Sequence, residues 1–191
     1  ANISEPSFVL TISWLVAALR PTGPYPILVV NGEQGSGKSV FSRMLRALID
    51  PSEAPVRSLP KDDRDLIVSA SNSHVLAYDN LSRVDGWLSD AFCRLSTGGG
   101  FATRTLHTDR DETIFAGQRP IIINGIPELT GRADLADRAL TVNLQTISEI
   151  DRLPEDELLA AFEGAQPRIL GALLDAVSRA VKNLPTTRLH R

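Results

Sequence analysis

The segment Gly32–Ser39 has the sequence GEQGSGKS, which places two glycines, a lysine and a serine at the spacing of a phosphate-binding loop. Its glycines let successive backbone N–H groups turn toward a phosphate at the positive end of the following helix. Lys38 can then reach the β- and γ-phosphates of ATP, and the Ser39 hydroxyl can coordinate Mg²⁺. The predicted nucleotide-binding residues are Gly32, Glu33, Gln34, Gly35, Ser36, Gly37, Lys38, Ser39 and Val40.

A carboxylate suited to the same Mg²⁺ ion follows a second apolar run. Asp79 ends the run at residues 75–78, where the end of a strand would bring its side chain to the water shell of the metal. The next residue is Asn80, whereas many ATPases place a glutamate here to polarise the attacking water. An amide cannot accept a proton as a base, although it can orient a water molecule. Slow turnover and binding without turnover therefore both stay open.

A third polar residue, Asn124, follows the apolar run Ile121–Ile123. The carboxyl ends of parallel strands meet at one edge of a sheet, where α/β proteins bind their ligands. We therefore expect Asn124 to lie near Lys38, Ser39 and Asp79 and to hold the attacking water against the γ-phosphate.

Two arginines, Arg132 and Arg138, flank an Asp-containing segment just before the last apolar run. Arginine stabilises phosphoryl charge without changing its protonation state, and it can do so across a subunit boundary. Both are candidate catalytic residues. The alternative for each is a structural ion pair with Asp134 or Asp137. Arg168, at the predicted start of the last helix, is a further candidate for a lid contact with the nucleotide.

Two runs of β-prone residues, Thr103–His107 and Thr113–Ala116, flank a charged tip and predict a β-hairpin. Arg104, His107 and Arg110 would place basic groups on this ribbon, which could hold a phosphodiester backbone without reading bases. Three acidic side chains in the tip favour the alternative, a solvated charged hairpin.

Strand-like runs that alternate with helices predict an α/β fold, a three-layer P-loop NTPase sandwich with a mainly parallel sheet, a hairpin insertion and C-terminal helices. The expected strands are Ile27–Asn31, His74–Asp79, Pro120–Asn124 and Ala139–Leu144. The expected helices are Phe8–Arg20, Val40–Ile49, Asp62–Ala70, Gly86–Ser96, Pro154–Glu163 and Pro167–Leu184. The predicted division is an N-terminal helix at 1–22, the ATPase core at 23–148 and a C-terminal helical segment at 149–191.

Composition and charge limit the class of protein. With 42% hydrophobic and 23% charged residues, the 191-residue chain has the balance of a globular domain. A net charge of −3 gives no global field for nucleic acid, so any such contact must come from a local basic patch. Cys93 is the single cysteine, which excludes an internal disulfide. No run is long enough to cross a membrane, and we expect a cytoplasmic protein.

The order of these motifs resembles that of the AAA+-related superfamily 3 helicases, in particular the poxvirus-type primase-helicases of phages and mobile elements. Residues 95–109, LSTGGGFATRTLHTD, resemble the hairpin region that precedes an apolar strand ending in Asn. Residues 134–139, DLADRA, resemble the region that carries the arginine finger in that family. The resemblance covers about residues 27–145. Asn80 departs from the family pattern, which has an acidic residue after the Mg²⁺ aspartate.

The resemblance implies a homo-oligomeric ring, usually a hexamer, with ATP sites between subunits and hairpins lining a central pore. It implies single-stranded or forked DNA as the partner, an AAA+-like core, and a role for Arg138 in the site of the neighbouring subunit. A nucleotide-dependent switch or assembly factor with little hydrolysis is the alternative. A P-loop kinase is a further alternative, against which the strand-end Asn124 and the absence of an Arg-rich lid segment both argue.

Overall fold

The computed structural model describes residues 2–81, 83–104, 112–125 and 132–187. The chain divides into two compact units, Ala1–Arg152 and Leu153–Arg191. The strands are β1 (Ile27–Gly32), β2 (Leu76–Leu81), β3 (Phe101–Arg104), β4 (Glu112–Phe115), β5 (Ile121–Gly125) and β6 (Ala139–Leu144). The helices are α1 (Glu5–Ala18), α2 (Lys38–Ile49), α3 (Asp63–Asn72), α4 (Gly86–Thr97), α5 (Ala133–Ala136) and α6 (Glu155–Asn183), followed by a 3₁₀ turn at Leu184–Thr186.

The main sheet is parallel and has the order β2-β5-β1-β6. All six residues of β1 are buried, as expected for a central strand with both faces covered. Its side chains alternate, so that Ile27 and Val29 join the core formed with α3 and α4. Helices α1 and α2 contact the sheet as well, α1 along β6 and α2 across β1, β2 and β5. The predicted three-layer P-loop sandwich is confirmed.

Helix α1 is part of this first unit and runs between the two ends of the sheet. Ser4 caps it by accepting from the Ser7 N–H (3.4 Å), and just ahead of it Ile3 bridges to Leu144 at the carboxyl end of β6. Near its other end, Trp14 Nε1 donates to the Pro26 carbonyl oxygen (2.8 Å), just before β1. Helix α1 is therefore anchored at both edges of the sheet.

The hairpin forms a separate two-stranded sheet from β3 and β4. Its strands pair in antiparallel register, with Phe101 opposite Phe115 and Arg104 opposite Glu112. Strand β3 begins two residues before the predicted Thr103, and Phe101 packs into the core. Strand β4 begins and ends one residue before the predicted Thr113–Ala116. The remaining part of the predicted strand and the hairpin tip, residues 105–111, lie outside the described residues.

The two predicted C-terminal helices are wrong, because α6 is a single helix that continues through Pro167. Proline lacks an N–H and crowds the carbonyl group four residues earlier, which usually ends a helix. Here the flanking sequence is rich in Ala, Leu and Arg, which have high helix propensity, and the helix persists. No helix in the described part of the chain is long and apolar enough to cross a membrane.

The packing of α1 leads to a prediction about stability. Trp14 is fully buried, so Trp14→Ala should lower the free energy of unfolding by about 3–5 kcal/mol. The neighbouring Ser13 is exposed, and Ser13→Ala should change stability by less than about 0.5 kcal/mol. Urea unfolding followed by circular dichroism measures both. Equal effects of the two substitutions would contradict the described packing.

Candidate nucleotide-binding site

The loop between β1 and α2 owes its shape to two glycines. Gly35 has φ 79° and Gly37, the N-cap of α2, has φ 78°, both in the left-handed region that glycine adopts without strain. The Gly37 carbonyl oxygen accepts from the Phe41 N–H (2.9 Å), which starts the helix. The unpaired N–H groups of the first turn of α2 thus face the loop, an arrangement suited to an anion.

Lys38 lies against this loop. Its Nζ donates to the carbonyl oxygens of Gly32 (2.7 Å) and Glu33 (2.8 Å), two adjacent residues where β1 ends and the loop begins. The ammonium group is therefore held against the backbone at the start of the loop.

Ser39 and Asp79 meet as the sequence predicts. Ser39 Oγ donates to Asp79 Oδ1 (2.9 Å), which joins α2 to the end of β2. Both side chains offer hard oxygen ligands, and Mg²⁺ in nucleotide sites uses one or two such groups together with phosphate and water. The residues present therefore fit a magnesium ion carried with a triphosphate.

Asn124 is brought to the same edge of the sheet but is fully buried there. Its Oδ1 accepts from the Asn80 N–H (2.9 Å), and its Nδ2 donates to Ser42 Oγ in α2 (3.1 Å). Both ends of the amide are thus engaged within the protein. A contact between Asn124 and a water on the nucleotide, as the sequence suggests, would have to replace or share one of these bonds.

Asn80 has an unusual backbone conformation, with φ 57°. The register of β2 against β5 shifts between Tyr78 and Leu81, so Asp79 and Asn80 form an irregular step in the strand. Asparagine tolerates the left-handed region better than other non-glycine residues. The backbone at this position therefore favours asparagine over the glutamate that many ATPases have.

Arg138 lies at the opposite edge of the sheet. The Arg138 carbonyl oxygen accepts from the Ile27 N–H (2.9 Å) at the start of β1, whereas the phosphate loop follows the end of that strand. Six residues of extended strand separate the two edges by roughly 20 Å. Arg138 is exposed and its Nη1 donates to the Asp134 carbonyl oxygen (2.8 Å).

Arg132 is held in ion pairs. It contacts Asp90 (2.9 Å) and Asp134 (3.2 Å), and the hydrogen bond and charge of Asp134 raise the pKa of the Arg132 guanidinium. The same contact lowers the pKa of Asp134. Arg132 thus has the structural pairing with Asp134 that the sequence offered as the alternative to a catalytic role.

Arg104 and Arg168 belong to elements other than those that form the phosphate loop. Arg104 ends β3, and His107 and Arg110 lie outside the described residues. Arg168 lies within α6 and not at the start of a helix, because α6 is continuous.

Three residues that contact the phosphate loop were not anticipated from the sequence. Asn2 Nδ2 donates to the carbonyl oxygens of Ser36 (2.6 Å) and Gln145 (2.8 Å), which ties the loop to the end of β6. A Cβ atom on Gly35 would lie 2.9 Å from Arg152 Nη2, and one on Gly37 would lie 3.7 Å from Ile147 Cδ1. Only the fold brings these distant residues to the loop.

A parallel sheet with a phosphate loop after its central strand and a Ser–Asp pair beside that loop defines a P-loop NTPase fold. The family described as Actinomycete integrative conjugative element replication protein matches residues 2–189, and the chain belongs to this family of replication proteins. A search of curated proteins found no match.

Among solved structures, the apo C-terminal region of NrS-1 is similar with a TM-score of 0.59 and 16% identity, covering 85% of this chain and 41% of that chain. This similarity concerns the fold, and the chain spans about two fifths of that relative. JCV helicase with a bound small molecule is similar with a TM-score of 0.45 and 11% identity, covering 89% of this chain and 52% of that chain. The BchI–BchD complex of magnesium chelatase is similar with a TM-score of 0.47 and 17% identity, covering 93% of this chain and 73% of that chain.

The conformation of Asn80 leads to a second prediction. Asn80→Gly should leave stability nearly unchanged, whereas Asn80→Ala should destabilise the fold by about 1 kcal/mol because alanine is strained at positive φ. The Asn80 side chain is exposed, so the difference in stability between the two variants reports backbone strain and not lost packing. Thermal and urea unfolding measure the difference. If alanine proves as stable as glycine here, the left-handed conformation is wrong.

Proposed function

We propose that this chain is the ATP-hydrolysing motor domain of a DNA helicase or translocase that serves replication. In this proposal it works as a homo-oligomeric ring in which each ATP site is completed by the neighbouring copy. The proposal combines membership of a replication-protein family with the P-loop fold and the motif order of AAA+-related superfamily 3 helicases.

The observation that carries the proposal is the position of Arg138. Lys38, Ser39 and Asp79 converge at the carboxyl edge of the sheet, and Arg138 is exposed at the amino edge. Arg138 cannot reach the phosphate loop of its own chain across roughly 20 Å of strand. A head-to-tail contact between copies would bring it to the loop of the next chain, as arginine fingers act in trans.

The roles of the chain's own residues follow from their chemistry. Backbone N–H groups of the loop and the Lys38 ammonium would hold the triphosphate, and Ser39 and Asp79 would hold Mg²⁺, which neutralises charge between the β- and γ-phosphates. Asn80 and Asn124 would orient the attacking water, with Asn124 acting through its bond to the Asn80 backbone. The neighbour's Arg138 would stabilise charge on the transferred phosphoryl group.

The hairpin is the proposed DNA contact. It leaves the sheet beside β5 at the amino edge, where the Arg119 N–H donates to the Leu95 carbonyl oxygen (3.1 Å). Several copies of Arg104 around a pore would form a basic collar even though the single chain carries a net charge of −3.

A nucleotide-dependent switch is the second candidate, and Asn80 favours it. The amide cannot act as a base, and Asn124 is engaged by Asn80 and Ser42. A switch would change its self-association with ATP but would show little turnover, with or without DNA.

Action of Arg138 in trans can be tested by mixing two inactive variants. Lys38→Ala removes the phosphate contact, and Arg138→Ala should reduce turnover by roughly 10³-fold. In an equimolar mixture about one site in four pairs an intact loop with an intact Arg138, so activity should return toward a quarter of the wild-type value. Arg64→Ala, an exposed arginine in α3, is the control and should retain full turnover. No recovery in the mixture would exclude action in trans.

The DNA contact can be tested through its salt dependence. Single-stranded DNA should stimulate turnover severalfold, and Arg104→Ala should lower the slope of log affinity against log salt by about one for each lost phosphate contact. Glu112 is opposite Arg104 in the hairpin, so Glu112→Gln should tighten DNA binding. Fluorescence anisotropy with labelled DNA provides the measurement. Unstimulated turnover, together with DNA binding that Arg104→Ala leaves intact, would contradict a translocase and favour the switch.

A further inference from the structure

A surface cavity of about 270 Å³ lies beside Arg138 at the amino edge of the sheet. Its lining is formed by the segment before β1, the end of α4 and the start of β6: Pro24, Tyr25, Pro26, Thr97, Asp137, Arg138, Ala139 and Leu140. Two hydrogen bonds hold Tyr25 in the wall of this cavity. The Tyr25 N–H donates to the Ser96 carbonyl oxygen (2.9 Å), and the Tyr25 hydroxyl donates to the Arg20 carbonyl oxygen (2.7 Å). The cavity is thus an ordered, largely apolar depression with a charged rim.

An exposed isoleucine lies next to the phosphate loop, at the other edge of the sheet. Ile150 is 97% exposed in the turn Ser148–Asp151, which is closed by a bond from Ser148 Oγ to Asp151 Oδ2 (2.6 Å) and one from the Asp151 N–H to the Ser148 carbonyl oxygen (3.2 Å). On either side of it, Ile147 and Arg152 approach Gly37 and Gly35 of the loop. The turn therefore presents Ile150 to solvent directly beside the nucleotide site.

A single exposed isoleucine needs no explanation by itself. The location of Ile150 is informative, because in the proposed function Arg138 reaches the phosphate loop of another copy. Any contact that brings Arg138 to that loop also brings the cavity beside Arg138 to the turn that lies against the loop.

The net charges of the two surfaces are opposite. Glu149 and Asp151 flank Ile150 and outnumber the nearby Arg152. Arg138 and Asp137 both line the cavity, and Arg20 adds a second positive charge against its Tyr25 wall, with Cζ 5.6 Å from the ring centroid. Opposite charges that meet around an apolar contact fix its orientation and speed association.

We propose that Ile150 of one copy inserts into the cavity beside Arg138 of a second copy of this chain. This contact rests on the proposed function and specifies how the neighbour is held while Arg138 acts at the loop. The contact is heterologous, since Ile150 and the cavity are different surfaces at opposite edges of the sheet. Each copy can therefore use both surfaces at once, so association does not stop at a dimer, and it gives a ring where the rotation between copies closes.

Disulfide trapping tests the contact. The native Cys93 is buried, and burial raises the pKa of its thiol, so engineered cysteines dominate the reaction. With a non-hydrolysable ATP analogue and mild oxidation, the double variant Ile150→Cys/Leu140→Cys should form a ladder of dimers, trimers and larger species. The matched control, Val68→Cys/Leu140→Cys, places the first cysteine on another exposed apolar position, in α3. A ladder that forms no faster than in this control would overturn the proposal.

A substitution series supplies a second readout. Ile150→Asp should weaken self-association at least about tenfold, since an apolar contact is lost and a charge is brought to the cavity. Ile150→Leu should restore most of it, and Val68→Asp should leave it unchanged. Sedimentation velocity measures association, and a fluorescent ATP analogue should bind the Ile150→Asp protein within about twofold of wild type. Wild-type association of Ile150→Asp would overturn the proposed contact.

The two proposals can fail separately. A ladder in a protein that shows no ATP turnover would support the docking contact and contradict the motor function. Recovery of turnover in the mixture of Lys38→Ala and Arg138→Ala, without a ladder, would support action in trans and exclude Ile150 as the docking residue.

Discussion

Strand β1 lies between β5 and β6, and all six of its residues are buried. Because its neighbours run parallel to it, every strand-to-helix connection that can bind a ligand falls at one edge, and every helix-to-strand connection falls at the other. The phosphate loop and Asp79 belong to the first edge, and Arg138 belongs to the second. This polarity places the candidate nucleotide-binding residues and Arg138 on two surfaces that a single copy cannot bring together.

The carboxyl edge is stabilised by a buried amide. Asn124 links the irregular step in β2 to α2 through its bonds to the Asn80 N–H and to Ser42. Removing a partner from a buried polar group leaves the other partner unsatisfied, which costs about 1–3 kcal/mol. The conformations of α2 and of the strand that carries Asp79 are therefore coupled through the buried Asn124 side chain.

Local patterns were sufficient to predict much of this molecule. The spacing in Gly32–Ser39 and four apolar runs gave the fold class and the meeting of Ser39 with Asp79. The left-handed Asn80 was missed, because its conformation depends on a shift of register between strands and not on local sequence. Arg152 was missed for a similar reason, since more than a hundred residues separate it from the glycine that it covers. The predicted break at Pro167 was wrong because the helix propensity of the residues on both sides of it outweighed the local effect of proline.

Asn2 has a mechanical consequence. By bonding to the Ser36 carbonyl oxygen and to Gln145, it fastens the chain directly to the phosphate loop, three residues before α1 begins. A polypeptide joined ahead of Asn2 would therefore leave the domain beside the loop Gly32–Ser39 and not at a remote surface. Tension on such a tether would be transmitted to the loop through the hydrogen bond to Ser36, and a rearrangement of the loop would in turn pull on the tether.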